Sequence, residues 1–145
     1  MLLSWVIAGF LVLTTIAIHY EALRLLDWSV RRIEGLHRLR IVLIVLGCFV
    51  AHIIEVALFA VVTYAAATSL DIGTIKGVLS HGFDDYLHLS LESYTSLGLG
   101  DVYPTGHLRL LIGIEALIGL TMITWSASFT FLEMKSLWDD RNDPE

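Results

Sequence analysis

Three stretches of the chain are nearly unbroken runs of apolar residues, Leu2–Ile18, Ile41–Ala67 and Leu108–Leu132. A membrane-crossing helix takes roughly 17–25 residues, so each run predicts a span. The first is the shortest, and the second has length to spare for tilt. A fourth apolar piece, Phe83–Leu97, is too short and too polar to span, because it carries Asp84, Asp85, His88 and Glu92. That pattern predicts a re-entrant helix over 83–95, buried in protein. Thr95-Ser96-Leu97-Gly98-Leu99-Gly100-Asp101 follows it and is too rich in glycine for a helix. Irregular backbone at membrane depth is tolerated only where protein buries it or where it lines a watery path.

Residues 20–40 separate the first two spans and have helical periodicity of their own. Leu23, Leu26, Val30 and Ile33 recur at three- and four-residue steps beside a charged stripe of Arg24, Asp27, Arg31, Glu34 and Arg38. Asp27→Arg31 and Glu34→Arg38 are i,i+4 pairs in the favourable order. The pattern fits two placements equally. One is an Arg-rich amphipathic helix, with Trp28, lying at the inner membrane surface. The other is a cytosolic extension of the first span packed on a neighbour.

Composition agrees with a membrane protein: 56% of the 145 residues are hydrophobic and the mean hydropathy is +0.73. The net charge of −6 comes with no basic face, which argues against a nucleic-acid partner. A single cysteine, Cys48, excludes an intrachain disulfide and a cysteine metal site. The first span lacks a basic leader and a small-residue cleavage site, so it is expected to be retained. Five of the nine basic residues (Arg24, Arg31, Arg32, Arg38, Arg40) lie between the first and second spans, against only Lys76 before Arg109. The positive-inside rule then places 20–40 and the tail 133–145 in the cytoplasm and the N-terminus outside, in a multi-pass cell-membrane (inner-membrane) protein.

The chemistry concentrates after the re-entrant helix. Asp84 and Asp85 suit its N-terminus, and its C-terminal end, with partial negative charge, favours a cation near the membrane centre. Gly98 and Gly100 can take positive φ without a Cβ penalty. Asp101 falls at the outer mouth, and Tyr103-Pro104 end the loop rigidly.

Ser96-Leu97-Gly98-Leu99-Gly100-Asp101 resembles the potassium-channel filter Thr-Val-Gly-Tyr-Gly-Asp, which replaces an ion's hydration shell with backbone carbonyls. The resemblance extends over residues 41–132. Glu92 stands where some prokaryotic potassium channels place a carboxylate behind the filter, paired with the terminal Asp, here Asp101. Asp101-Val102-Tyr103-Pro104 resembles their Asp-x-Tyr-Pro exit. Arg109 resembles the Arg that opens the inner helix, and Gly119 falls at the gating glycine. The family implies a homotetrameric pore of outer helix 41–67, pore helix 83–95, filter 96–101 and inner helix 108–132, preceded here by the additional span 1–19. It implies K+ as the permeant ion at Ser96, Leu97, Gly98 and Leu99, with no organic cofactor. Glu92, His88 and Tyr103 are the expected filter supports. Three positions depart from the family. Ser96 keeps a hydroxyl but loses the methyl of Thr. Leu99 lacks the tyrosine hydroxyl that braces the filter. His88 stands where a cuff tryptophan is common.

Ionisable groups inside spans are costly and point to function by default. His52 and Glu55 share one face of the second span at i,i+3. They fit a buried His–Glu hydrogen bond, a pH- or ion-linked gating element, or two ligands of a metal site that needs one or two more. Glu115 in the third span is expected to partner the pore helix or a neighbouring subunit. His19 and Tyr20 fit an interface belt, and His81 and His107 flank the loop at the outer surface. Carrying the inner-helix register from Arg109 turns Leu120, Ile123, Ala127 and Phe131 toward the pore, with Phe131 as a cytoplasmic constriction. The first span has no arginine ladder and is not a voltage sensor. No ligand-binding domain is expected after the third span. The expected function is therefore a tetrameric potassium-selective channel, not an enzyme, with lipid, monovalent cations and copies of itself as partners. The alternatives are a nonselective cation channel, a non-conducting accessory subunit, and an intramembrane metal protein using His52, Glu55, Glu92 and Glu115.

Overall fold

The computed structural model describes residues 1–32, 37–77, 80 and 82–142. Ile33, the Glu34→Arg38 pair and His81 lie outside them. Among the described residues the order is α1 (Leu2–Val30), α2 (His37–Ser69), β1 (Ile75–Gly77), α3 (Phe83–Tyr94), β2 (Val102–Pro104) and α4 (Leu108–Asn142). Three helices are long and apolar enough to cross a membrane: Leu2–Val30, Arg38–Ser69 and Leu108–Ser136. At about 1.5 Å per residue each exceeds a hydrocarbon core of roughly 30 Å, so their ends project to the interfaces. The chain is an all-α membrane protein; among the described residues a ribbon of two three-residue strands stands beside the helices.

The buried face of α1 is written in its sequence as a stripe. Ser4, Ala8, Leu11, Thr15, His19 and Leu23 recur every three or four residues and all are buried. Small and polar side chains on one face let helices approach closely where lipid offers no hydrophobic contrast. This face packs against α2 and α4, while α3 lies between α2 and α4. Leu11, Val56, Phe59, Tyr94, Ile118 and Met122, drawn from all four helices, form the central core.

Two boundaries differ from expectation. The span expected to end by residue 19 continues unbroken to Val30. Leu23 and Val30 bury against Ile44 and Cys48, so the packed extension is the placement formed, not a separate surface helix. Arg31 Nε donates to Asp27 Oδ1 at 2.8 Å, and the Arg32 guanidinium stacks 3.6 Å from the Trp28 ring centre. The inner helix likewise runs past Leu132 to Asn142, taking most of the expected tail into α4.

The β1–β2 ribbon was not expected, because three-residue strands carry no readable alternation. Ile75 pairs with Pro104, Lys76 with Tyr103 and Gly77 with Val102, antiparallel. Tyr103 and Pro104 are thus strand residues. Thr105 N–H donates to Thr74 O at 2.7 Å and His107 N–H to Ile72 O at 2.9 Å, tying the ribbon to the start of α4. Ile75, Val102 and Leu89 bury together beneath it and seat the first half of α3.

Candidate ion-conduction site

The candidate filter segment begins where α3 is made to stop. Ser96 N–H donates to Ser93 O at 2.9 Å and Leu97 N–H to Glu92 O at 2.8 Å. With Ser96 at φ +56°, these two bonds form a Schellman end, a motif that usually places glycine at this left-handed position. A serine there is strained by about 1–2 kcal/mol. Strain of this kind is found where a site needs it.

The strain is the first beat of an alternation. Ser96, Gly98 and Gly100 have φ of +56°, +57° and +84°, whereas Leu97 and Leu99 between them do not have positive φ. In an ordinary strand successive carbonyls point to opposite sides. Reversing the handedness at every second residue turns them toward a common side. Residues 95–101 are all exposed, although Glu92 and Tyr94 just before them are buried. A Cβ added at Gly98 or Gly100 would meet nothing within 4 Å.

The supports are arranged as follows. Glu92 is buried, with Oε1 2.7 Å from His88 Nε2, an ion-pair distance without hydrogen-bond alignment. The pairing of Glu92 with Asp101 implied by the family pattern is not formed within the chain, where His88 lies against that carboxylate. Tyr103 lies in the ribbon opposite Lys76. Gly77 lies over the filter exit at φ +127°, where a Cβ would stand 1.9 Å from the Asp101 carbonyl oxygen.

On α4, Leu120, Ile123, Ala127 and Phe131 are open to the outside of the subunit. Leu120, Thr121, Thr124, Trp125 and Ser128 line a hollow of about 450 Å³. Gly119 faces the other way and is buried, and its added Cβ would lie 2.2 Å from the Tyr94 carbonyl oxygen. α4 is unbroken through Gly119, which here serves as the seat for the end of α3.

A buried polar layer lies level with that end. His19 Nδ1 is 2.9 Å from Glu55 Oε1, and His52 Nδ1 is 2.9 Å from the Tyr94 hydroxyl. Tyr94 donates to Glu55 Oε2 in a short contact. Ser126 Oγ lies 3.2 Å from His19 Nε2. His19 is therefore wholly buried and not an interface residue, while Tyr20 is exposed.

A family model described as an ion channel matches residues 41–134, well over half of the chain. The chain belongs to the ion channel family. No curated protein and no solved structure matches it.

The channel thus keeps His52 and Glu55 together as expected, but adds His19, Tyr94 and Ser126, which sequence reasoning missed. The available signal was the polar stripe on α1, which carries His19 in line with Ser4, Leu11 and Thr15. Glu92 and Glu115 do not join the cluster, so the four-residue grouping of the alternative metal-protein reading is not assembled. Glu115 partners the pore helix instead. Ser90 Oγ contacts both a Glu115 oxygen and the Val56 carbonyl, the latter at 2.8 Å. One hydroxyl has one proton, so both contacts are satisfied when a neutral Glu115 donates to Ser90 and Ser90 donates to Val56. Ser90→Ala leaves buried groups unpartnered and is expected to cost about 1–3 kcal/mol per subunit. Glu115→Gln, whose amide also donates, is expected to unfold close to wild type. Thermal unfolding of the two purified variants checks this, and equal damage from both would contradict the neutral-acid chain.

Proposed function

We propose that this channel is a homotetramer selective for potassium, each subunit contributing one strand to a carbonyl-lined filter. The observation that carries the reading is the alternation of φ at Ser96, Gly98 and Gly100. One strand exposes its carbonyls along one side and cannot enclose an ion, whereas four strands about an axis replace a hydration shell. The carbonyls of Ser96, Leu97, Gly98 and Leu99, with the Ser96 hydroxyl, are the K+ ligands in this reading. Thr95 and Asp101 bound the filter, with Glu92, His88 and Tyr103 behind it. The axis lies on the side where Leu120, Ile123, Ala127 and Phe131 are open, and Phe131 narrows the cytoplasmic end. The N-terminus is outside and the C-terminus cytoplasmic, following the basic residues around the α1–α2 connection.

A second reading keeps the pore and relaxes selectivity. It is favoured by Leu99, which is 57% exposed and supplies no hydroxyl brace. Reversal potentials of the reconstituted channel in opposed K+ and Na+ gradients separate the two. Potassium selectivity predicts a potential that tracks the K+ gradient, and a potential near zero assigns the nonselective pore. Absence of any flux from a folded tetramer would overturn both.

A further inference from the structure

The His19–His52–Glu55 cluster is built from three ligand residues that converge from two spans. We propose that these residues form, within each subunit, a binding site for a divalent transition-metal cation of the zinc class, closed by the Tyr94 hydroxyl. The ligand atoms of the three residues lie within 4.8 Å of one another. Imidazole nitrogen and carboxylate oxygen are ordinary zinc donors at about 2.0–2.2 Å, which sets tetrahedral neighbours roughly 3.3 Å apart. Here His19 Nδ1–Glu55 Oε1 is 2.9 Å and His52 Nδ1–Glu55 Oε2 is 3.5 Å, so each imidazole stands near that spacing from one of the two carboxylate oxygens. Tyr94 O, 2.9 Å from His52 Nδ1 and in contact with Glu55, takes the fourth place.

Charge points the same way. With His52 donating to Tyr94, Tyr94 and His19 donating to Glu55, and Ser126 donating to His19, every bond is made by neutral imidazoles and an ionised carboxylate. That leaves one negative charge in a wholly buried position. Among the described residues no Lys or Arg pairs with Glu55, whose ionisable partners are the imidazoles of His19 and His52. A buried carboxylate without a counter-charge is costly, and a bound cation supplies one. The outer shell is also present. When Nδ1 of His19 binds metal, its proton moves to Nε2, and Ser126 Oγ at 3.2 Å accepts it. Such a partner on the second ring nitrogen orients metal-bound histidines. His52 is partly exposed, whereas His19 and Glu55 are wholly buried. Because Tyr94 stands two residues before Ser96, an occupied site ties α1 and α2 to the base of the filter.

Full-length protein in lipid nanodiscs is titrated with Co2+, read by the intense visible absorption of tetrahedral cobalt, and with Zn2+, read by metal analysis after desalting. The expected result is one metal per chain, with Glu55→Gln and His19→Asn weakening binding roughly tenfold or more. His107→Asn, an exposed histidine, leaves binding unchanged. Should His19→Asn not fold, His52→Gln at the partly exposed position replaces it. Wild-type protein that takes up neither metal, or that binds as tightly after Glu55→Gln, overturns the site. The readout is binding, so its failure is distinct from failure of the conduction reading.

Discussion

Gly100→Ala is expected to abolish potassium flux from reconstituted vesicles while the protein keeps its helicity and its oligomer. Space is not the reason, since a Cβ there meets nothing within 4 Å of its own subunit. The reason is conformation. Gly100 holds φ at +84°, and an L-residue with a Cβ pays about 1–2 kcal/mol in left-handed backbone. In the proposed four-stranded filter the cost would be incurred four times, about 4–8 kcal/mol in all. That disfavours the conducting arrangement by about a thousandfold or more. Gly98→Ala, at φ +57°, should behave alike. Tracer flux with circular dichroism and sedimentation on the same preparation checks the prediction. Near-wild-type flux from either variant would show that the alternating backbone does not conduct.

Gly119→Val is expected to act on assembly before it acts on gating. The new side chain would start 2.2 Å from the Tyr94 carbonyl oxygen, 2.9 Å from its carbon and 3.0 Å from its Cα. All three are backbone atoms, so no flexible side chain can swing aside. Overpacking typically costs about 1–3 kcal/mol, and a rigid neighbour puts this site at the upper end in each subunit. Displacing the end of α3 also shifts Ser96 and Leu97, whose Schellman bonds run to Ser93 and Glu92 respectively. The expected result is a lower thermal midpoint and loss of flux together. Gly9→Ala, a helical glycine with nothing within 4 Å, serves as the neutral control. If Gly119→Val instead kept the midpoint and changed only open probability, Gly119 would be a hinge, as the family pattern implies.

Sequence reading succeeded where physics is local. The three spans follow from uninterrupted apolar runs, and the re-entrant helix follows from a run too short and too charged to cross. The Gly98–Gly100 pair announced positive φ because only glycine takes it freely, and both residues hold it. Ser96 at φ +56° was not legible, because a serine gives no such signal and the strain is held by bonds to Glu92 and Ser93. Nor was the ribbon, whose strands are three residues each.

The Glu55 partners mark the limit most clearly. His52 was legible because it shares a helix face with Glu55 three residues away. His19 and Tyr94 were not, being 36 and 39 residues distant. Which residue meets Glu55 depends on where α1 crosses α2 and how far α3 enters between α2 and α4. Gly119 shows the same division. Its sequence position suggested a hinge, and only the approach of Tyr94 showed that a side chain has no room there. The sequence by itself determined the number of spans, the re-entrant loop and the residues able to turn carbonyls to one side, since each rests on periodicity or on single-residue backbone freedom. The tertiary structure decided which buried polar groups meet and which glycine is a contact, because those depend on helix crossings set by packing across the whole chain.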